Sequence, residues 1–171
     1  MKLGSGLRRW VIAGVIALGV ATSARAAPDW KSLDWLIGAW TATGGGADQG
    51  VGGFSFVRDA GGQVLVRRNF ADYPAQNGRP ASRHEDLMVI SREPAGLRAA
   101  YWDSEGHVIH YDVATPADGA VSFLSTDAAG PRFRLSYRRT PRGLDGAFEV
   151  APPDQPARFA PYLSWSARRV K

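Results

Sequence analysis

Beyond Gly38 the chain never sustains a helical apolar period for three turns. It breaks instead into short runs in which apolar and polar residues alternate, each closed by Gly, Pro, Asp or Asn, and that pattern reads as β-strands. Ten such runs follow one another: 39–44, 53–57, 64–70, 83–92, 97–102, 107–115, 120–126, 132–139, 144–150 and 158–167. Between them stand tight-turn sequences such as Asp59-Ala60-Gly61-Gly62, Pro94-Ala95-Gly96, Asp103-Ser104-Glu105-Gly106 and Pro141-Arg142-Gly143. Tight turns join antiparallel neighbours. The only long connections are 71–82 and 151–157, so a Greek-key sandwich, which needs long crossings, is disfavoured. The expected fold is all-β, a single antiparallel up-and-down barrel of about ten strands. A short helix over 28–37 precedes it, with Pro28 near its start and Trp30, Leu33, Leu36 and Ile37 on one face.

The alternation also predicts which side is dry. Phe133, Leu135 and Tyr137 share a face against Arg132, Arg134, Ser136 and Arg138; Leu144, Phe148 and Val150 oppose Asp145 and Glu149. In the last run Phe159, Pro161, Leu163 and Trp165 line up on one face.

The first 26 residues have a different character. Lys2, Arg8 and Arg9 lead into an unbroken run of apolar residues and glycine from Trp10 to Ala21, then small residues ending in Ala24-Arg25-Ala26. That order predicts a secretory signal peptide cut after Ala26, and the apolar run is shorter than the roughly 20 residues that span a bilayer. The organisation expected is therefore a signal over 1–26 and one barrel domain over 27–171, periplasmic or secreted, with no integral membrane anchor after cleavage. The Arg8-Arg9 pair leaves both the general secretory and the twin-arginine routes open.

Cleavage changes the charge argument. The whole chain carries 21 basic and 16 acidic residues, a net of +5; removing Lys2, Arg8, Arg9 and Arg25 leaves 17 against 16. A near-neutral domain lacks the concentrated cationic footprint that phosphate neutralisation requires, so nucleic acid is not an expected partner. The absence of cysteine excludes disulfides, thiolate metal sites, a cysteine nucleophile and a lipid-anchored cysteine.

At Leu36-Ile37-Gly38-Ala39-Trp40 a short helix runs into a G-x-W at the start of the first strand. This resembles the entry of the calycin superfamily, which includes lipocalins, fatty-acid-binding proteins and nitrobindin-like barrels. The wider pattern, including Val64 to Asn69, His84 to Ile90, Tyr101 to Tyr111 and Tyr162 to Trp165, is similar to uncharacterised exported bacterial proteins of that superfamily. The resemblance implies that Trp40 closes one end of the barrel under an arginine of the last strand, Arg168 or Arg169. A guanidinium over an indole is a sound plug. It also implies a ligand cavity lined by large apolar side chains. Nitrobindin-like barrels hold haem through a late-strand histidine, but no histidine follows His110, and no cofactor is expected here.

Catalytic motifs are missing. His84-Glu85 begins an H-E-x-x-H whose last position is Met88, and the mature chain holds no G-x-S-x-G or S-x-x-K. The glycines of 44–53 lack the Lys-Ser/Thr of a phosphate loop, and the stretch 72–82 suits a lid or portal. What remains is a set of polar groups as candidates for the inside of a barrel: Arg67 or Arg68, His84, Asp86, Tyr101, His110 and Asp112. Arg67 and Arg68 point opposite ways, so one faces inward and needs an anionic partner or a ligand head group. His110 and Asp112 share a face, either wetted or in the lumen. The function expected is binding of a small apolar or amphipathic molecule. An isomerase or lyase using His110 with Asp112, and a structural barrel without ligand, are the alternatives.

Overall fold

A computed structural model describes residues 30–43, 50–76, 78–127 and 129–171. The signal-peptide reading of residues 1–26 and most of the glycine stretch after Thr43 lie outside the described residues. Ten strands form one closed antiparallel barrel: β1 (Gly38–Thr43), β2 (Val51–Asp59), β3 (Val64–Tyr73), β4 (Ser82–Glu93), β5 (Gly96–Asp103), β6 (Val108–Ala114), β7 (Ala120–Ser125), β8 (Arg132–Thr140), β9 (Gly143–Ala151) and β10 (Ala160–Arg169). Each pairs with its neighbours in sequence, and β1 closes on β10 with Trp40 opposite Arg169 and Thr41 opposite Arg168. Closure removes both sheet edges. The short helix forms, but as a 3-10 helix over Trp30–Leu36. Among the described residues no helix is long and apolar enough to cross a membrane.

The helix seals one end. Leu33 and Leu36 are fully buried beneath the barrel, and Trp40 donates its indole N–H to the Leu36 carbonyl at 2.8 Å while stacking on Phe54. Arg169 lies over the Trp40 ring at 4.6 Å and donates to the carbonyls of Ile37 and, at 2.9 Å, Trp35. Arg169 is the arginine that covers Trp40. Arg168, one residue earlier on an alternating strand, faces solvent and takes no part. Gly38 is needed in this corner: its φ of +127° is one that other residues avoid, and a Cβ there would strike the Arg169 guanidinium.

Above the seal the lumen is solid. Phe56, Leu65, Met88, Ile90, Phe123 and Tyr137 are at most 1% exposed. Phe54, Phe56, Phe123 and Tyr137 meet one another with ring centroids 5.5–6.4 Å apart. At β9 an inward glycine, Gly146, makes room for the facing indole of Trp165, which a Cβ at 146 would strike.

One expectation about faces needs correction, and one left open is decided. In β10 the register shifts between Pro161 and Leu163, so Phe159 does not share the inward face of Leu163 and Trp165. Phe159 lies instead under the outward Arg134, at 4.3 Å. In β6 the apolar side chains take the dry side. Tyr111 and Val113 are 2% and 6% exposed, and strict alternation then turns His110 and Asp112 out to water.

Candidate functional site

The end opposite the 3-10 helix is less full, and inward-pointing side chains there are only partly buried. The chain builds two unlike walls around it. On the β3–β5 side the inward positions are Arg67, Asn69, His84, Asp86, Tyr101 and Asp103. On the β8–β10 side they are Phe133, Phe148, Leu163 and Trp165.

Arg67 and Asp86 form the floor of the polar wall. Both side chains are about 95% buried and directly ion-paired, and Asn69, opposite Asp86 in the β3–β4 register, donates to its second oxygen at 2.8 Å. The inward arginine thus has its anionic partner within the protein. Its guanidinium lies between the rings of Phe54 and Tyr137, at 5.8 and 6.0 Å from their centroids. Burial works against its charge, but Tyr137, Asp86 and Tyr101 outweigh it and hold the group above its ordinary value. Among the described residues, two buried polar atoms in this layer have no hydrogen-bond partner: the Arg67 Nε and the Tyr137 hydroxyl. Burial pushes the Tyr137 hydroxyl up to about 12, against the pull of Arg67. Burial raises Tyr101 and Tyr111 as well, with Asp86 adding to the effect on both. All three phenols are therefore neutral at physiological pH.

Nearer the rim the polar wall becomes a network. His84 Nε2 sits 3.4 Å from Asp86 Oδ2 and 3.4 Å from the Tyr101 hydroxyl, and its Nδ1 is 3.2 Å from Glu105 Oε1. Tyr101 donates to Asp103 Oδ2 at 3.2 Å, and His107 Nδ1 approaches the same oxygen at 2.9 Å. Asp103 Oδ1 accepts the backbone N–H groups of Glu105 and His107, which fixes the β5–β6 turn. The turn is also tied to β4, since Ser104 N–H donates to the Glu85 carbonyl and the Ser104 hydroxyl accepts from the Glu85 N–H. That tie brings Glu105 over His84. Burial alone would raise the Asp103 carboxyl, but the bonds from His107 and the Glu105 N–H hold it below its ordinary value; Asp103 in turn raises His107.

The opposite wall is aromatic. Phe133 and Phe148 stack at 5.7 Å, Tyr162 meets Phe148 edge-on at 6.1 Å, and Trp165 packs on Tyr137 at 5.9 Å. Tyr162, in the β10 bulge, is 70% exposed at the rim.

Of the residues singled out from sequence, Arg67, His84, Asp86 and Tyr101 come together here. Arg68 is exposed on the outer face, because the alternation of β3 spends its inward position on Arg67. His110 and Asp112 belong to the outer wall, where Asp112 pairs with Arg98 of β5; no His–Asp pair enters the lumen through β6. Two shallow depressions also lie outside, one over Ser122, Ser136 and Ser164 and one over Ala100, Trp102 and His110. Sequence reasoning missed Asn69, Asp103, Glu105 and His107 as site residues. Asp103 and Glu105 sit in a segment read only as turn punctuation and His107 opens the run 107–115, although the density of carboxylate and imidazole over 103–107 was a signal in itself.

None of the known protein-family models matches this chain, and a search of curated proteins gives no match.

Proposed function

We propose that this is an exported, calycin-like barrel that binds a small amphipathic molecule in the open half of its lumen. The observation that carries the reading is the two-sidedness of that half: partly buried Phe133, Phe148 and Trp165 face a polar wall of Asn69, His84 and Tyr101. A pocket with apolar walls and a few placed polar groups is how proteins hold small ligands. Because Arg67 already has Asp86, the head group need not be anionic. A neutral hydroxyl, amide or carbonyl head facing His84 and Tyr101 fits this wall better than a free fatty acid.

A second reading, a structural barrel with no small ligand, is favoured by the solid packing of the other half. The enzyme alternative that used His110 and Asp112 is not carried forward, since both face solvent.

Native mass spectrometry with an absorption spectrum, on protein purified from the periplasm, separates the two readings. A stoichiometric co-purifying amphiphile is the expected result. In titrations with neutral monoacylglycerols and long-chain alcohols, emission from Trp165 should change and the change should disappear in Trp165→Phe. No retained molecule and no saturable response to any of these probes would leave the structural reading.

A further inference from the structure

We propose that the start of β4 and the β5–β6 turn form a site for one divalent transition-metal ion of the Zn²⁺ class, with His84, Asp103 and Glu105 as ligands and His107 as the fourth donor. The site stands whether or not the open half of the lumen takes a small molecule.

Geometry comes first. One ligand atom from each of His84, Asp103 and Glu105 lies within 4.8 Å of the others. A tetrahedral Zn²⁺ with bonds of about 2.1 Å sets neighbouring donors about 3.4 Å apart. Two pairs here already stand near that separation, His84 Nδ1 to Glu105 Oε1 at 3.2 Å and His107 Nδ1 to Asp103 Oδ2 at 2.9 Å, and the other Glu105 oxygen, Oε2, lies 3.8 Å from His107 Nδ1. Small rotations of exposed side chains, Glu105 and His107, complete the shell.

Donor chemistry selects the ion. Two imidazoles with two carboxylates suit a borderline dication, whereas Ca²⁺ and Mg²⁺ prefer oxygen alone. The imidazoles distinguish this group from an ordinary acidic surface cluster.

An observation outside the ligand set points the same way. A metal-bound histidine almost always donates its other ring N–H to a carboxylate, a backbone carbonyl or a water, and a carboxylate that is itself held in place is one such partner. His84 does this: its Nε2 faces Asp86, whose side chain is 4% exposed and fixed by Arg67 and Asn69. Charge adds a reason. Arg67 is committed to Asp86, and among the described residues neither Asp103 nor Glu105 is ion-paired to a lysine or arginine. Asp103 is only 5% exposed, so its charge lies where a nearby cation is worth most. Glu105 and His107, each 61% exposed, leave a path from solvent.

Calorimetry with Zn²⁺ and visible spectra with Co²⁺, both on chelator-treated full-length protein, test the proposal. One equivalent should bind, with the intense d–d bands of a tetrahedral Co²⁺ complex. Glu105→Gln and His107→Gln change exposed side chains and should leave the circular dichroism unaltered, yet each should weaken binding by about tenfold or more, with His84→Ala weakening it further. His110→Gln, on the outer wall, should bind as the parent does. Absence of saturable one-to-one binding would overturn the site. So would unchanged affinity in Glu105→Gln and His107→Gln, or loss of binding in His110→Gln.

Discussion

Arg67 and Asp86 show how one inward polar pair constrains its surroundings. Two charges taken from water gain from each other only while both are present, and removing one strands the other. Arg67→Met alone should therefore cost about 3–5 kcal/mol in urea unfolding, because Asp86 stays buried without its cation. Arg67→Met with Asp86→Leu should recover most of that loss, and the cycle should show strong coupling. Singles that simply add would mean that the pair contributes nothing by being paired. On the outer wall the paired residues Arg134 and Glu149 give a gentler case. Arg134 donates twice to Glu149, at 2.6 and 2.8 Å, and so lowers the Glu149 carboxyl below its usual 4.5. A lowered carboxyl stabilises the fold above its unfolded pKa, and that contribution is lost as pH falls through the lower, native value. Parent and Glu149→Gln should differ by up to about 1 kcal/mol at pH 7, and the difference should shrink below pH 4.5 until it closes. A gap that widened in acid would contradict the assignment.

At the scale of elements, the 3-10 helix is held to the barrel from two sides: Arg58 ion-pairs with Asp34 and lies over Trp30 while Arg139 lies over Trp35, and a second set of contacts gathers at Trp40. Leu33 and Leu36 pack beneath it, Trp40 bonds the Leu36 carbonyl, and Arg169 bonds the carbonyls of Trp35 and Ile37. Arg169→Ala removes two of these bonds and the cover of Trp40. Amides of residues 30–37 should then exchange with solvent well before the strands do, with a modest loss of about 1–3 kcal/mol in overall stability. Exchange no faster there than in β4 would show that packing and the Arg58 and Arg139 contacts hold the helix without Arg169. Strands were more legible in the sequence than what they carry. All ten appear where alternation and turn residues put them, because a half-buried strand writes its period directly into the chain. The error in β10 has a physical cause: a bulge adds one residue to one strand, and no periodicity can show it until the register with β9 is known. His110 and Asp112 were ambiguous for a related reason. Alternation gives two faces, and only the packing of Tyr111 and Val113 says which is inside. The β5–β6 turn concealed its place in the polar wall because Asp103 is also an ordinary turn residue, its carboxylate accepting the N–H groups of Glu105 and His107.

Among the described residues, burial is uneven along the barrel axis, complete above the helix and partial at the inward positions beyond Arg67. Substitutions in the two halves should therefore behave differently. Phe123→Ala, which opens a cavity in the packed layer where Phe123 is fully buried, should cost about 3–5 kcal/mol. Phe148→Ser at the open wall should cost less, since Phe148 is only partly buried, and should act mainly on ligand uptake. Equal destabilisation by both changes, measured by urea unfolding, would mean that the two halves are packed alike.

The pairing of β1 with β10 carries a consequence in time. Every other hairpin joins neighbours in the chain, but the seam, the seat for Trp40 and the arginine over it all wait for the tenth strand. A growing polypeptide can make hairpins as it emerges, yet it cannot latch the ring until that strand has been synthesised. Until then β1 and the last strand made both present open edges, which is the interval in which such a chain is most exposed to aggregation.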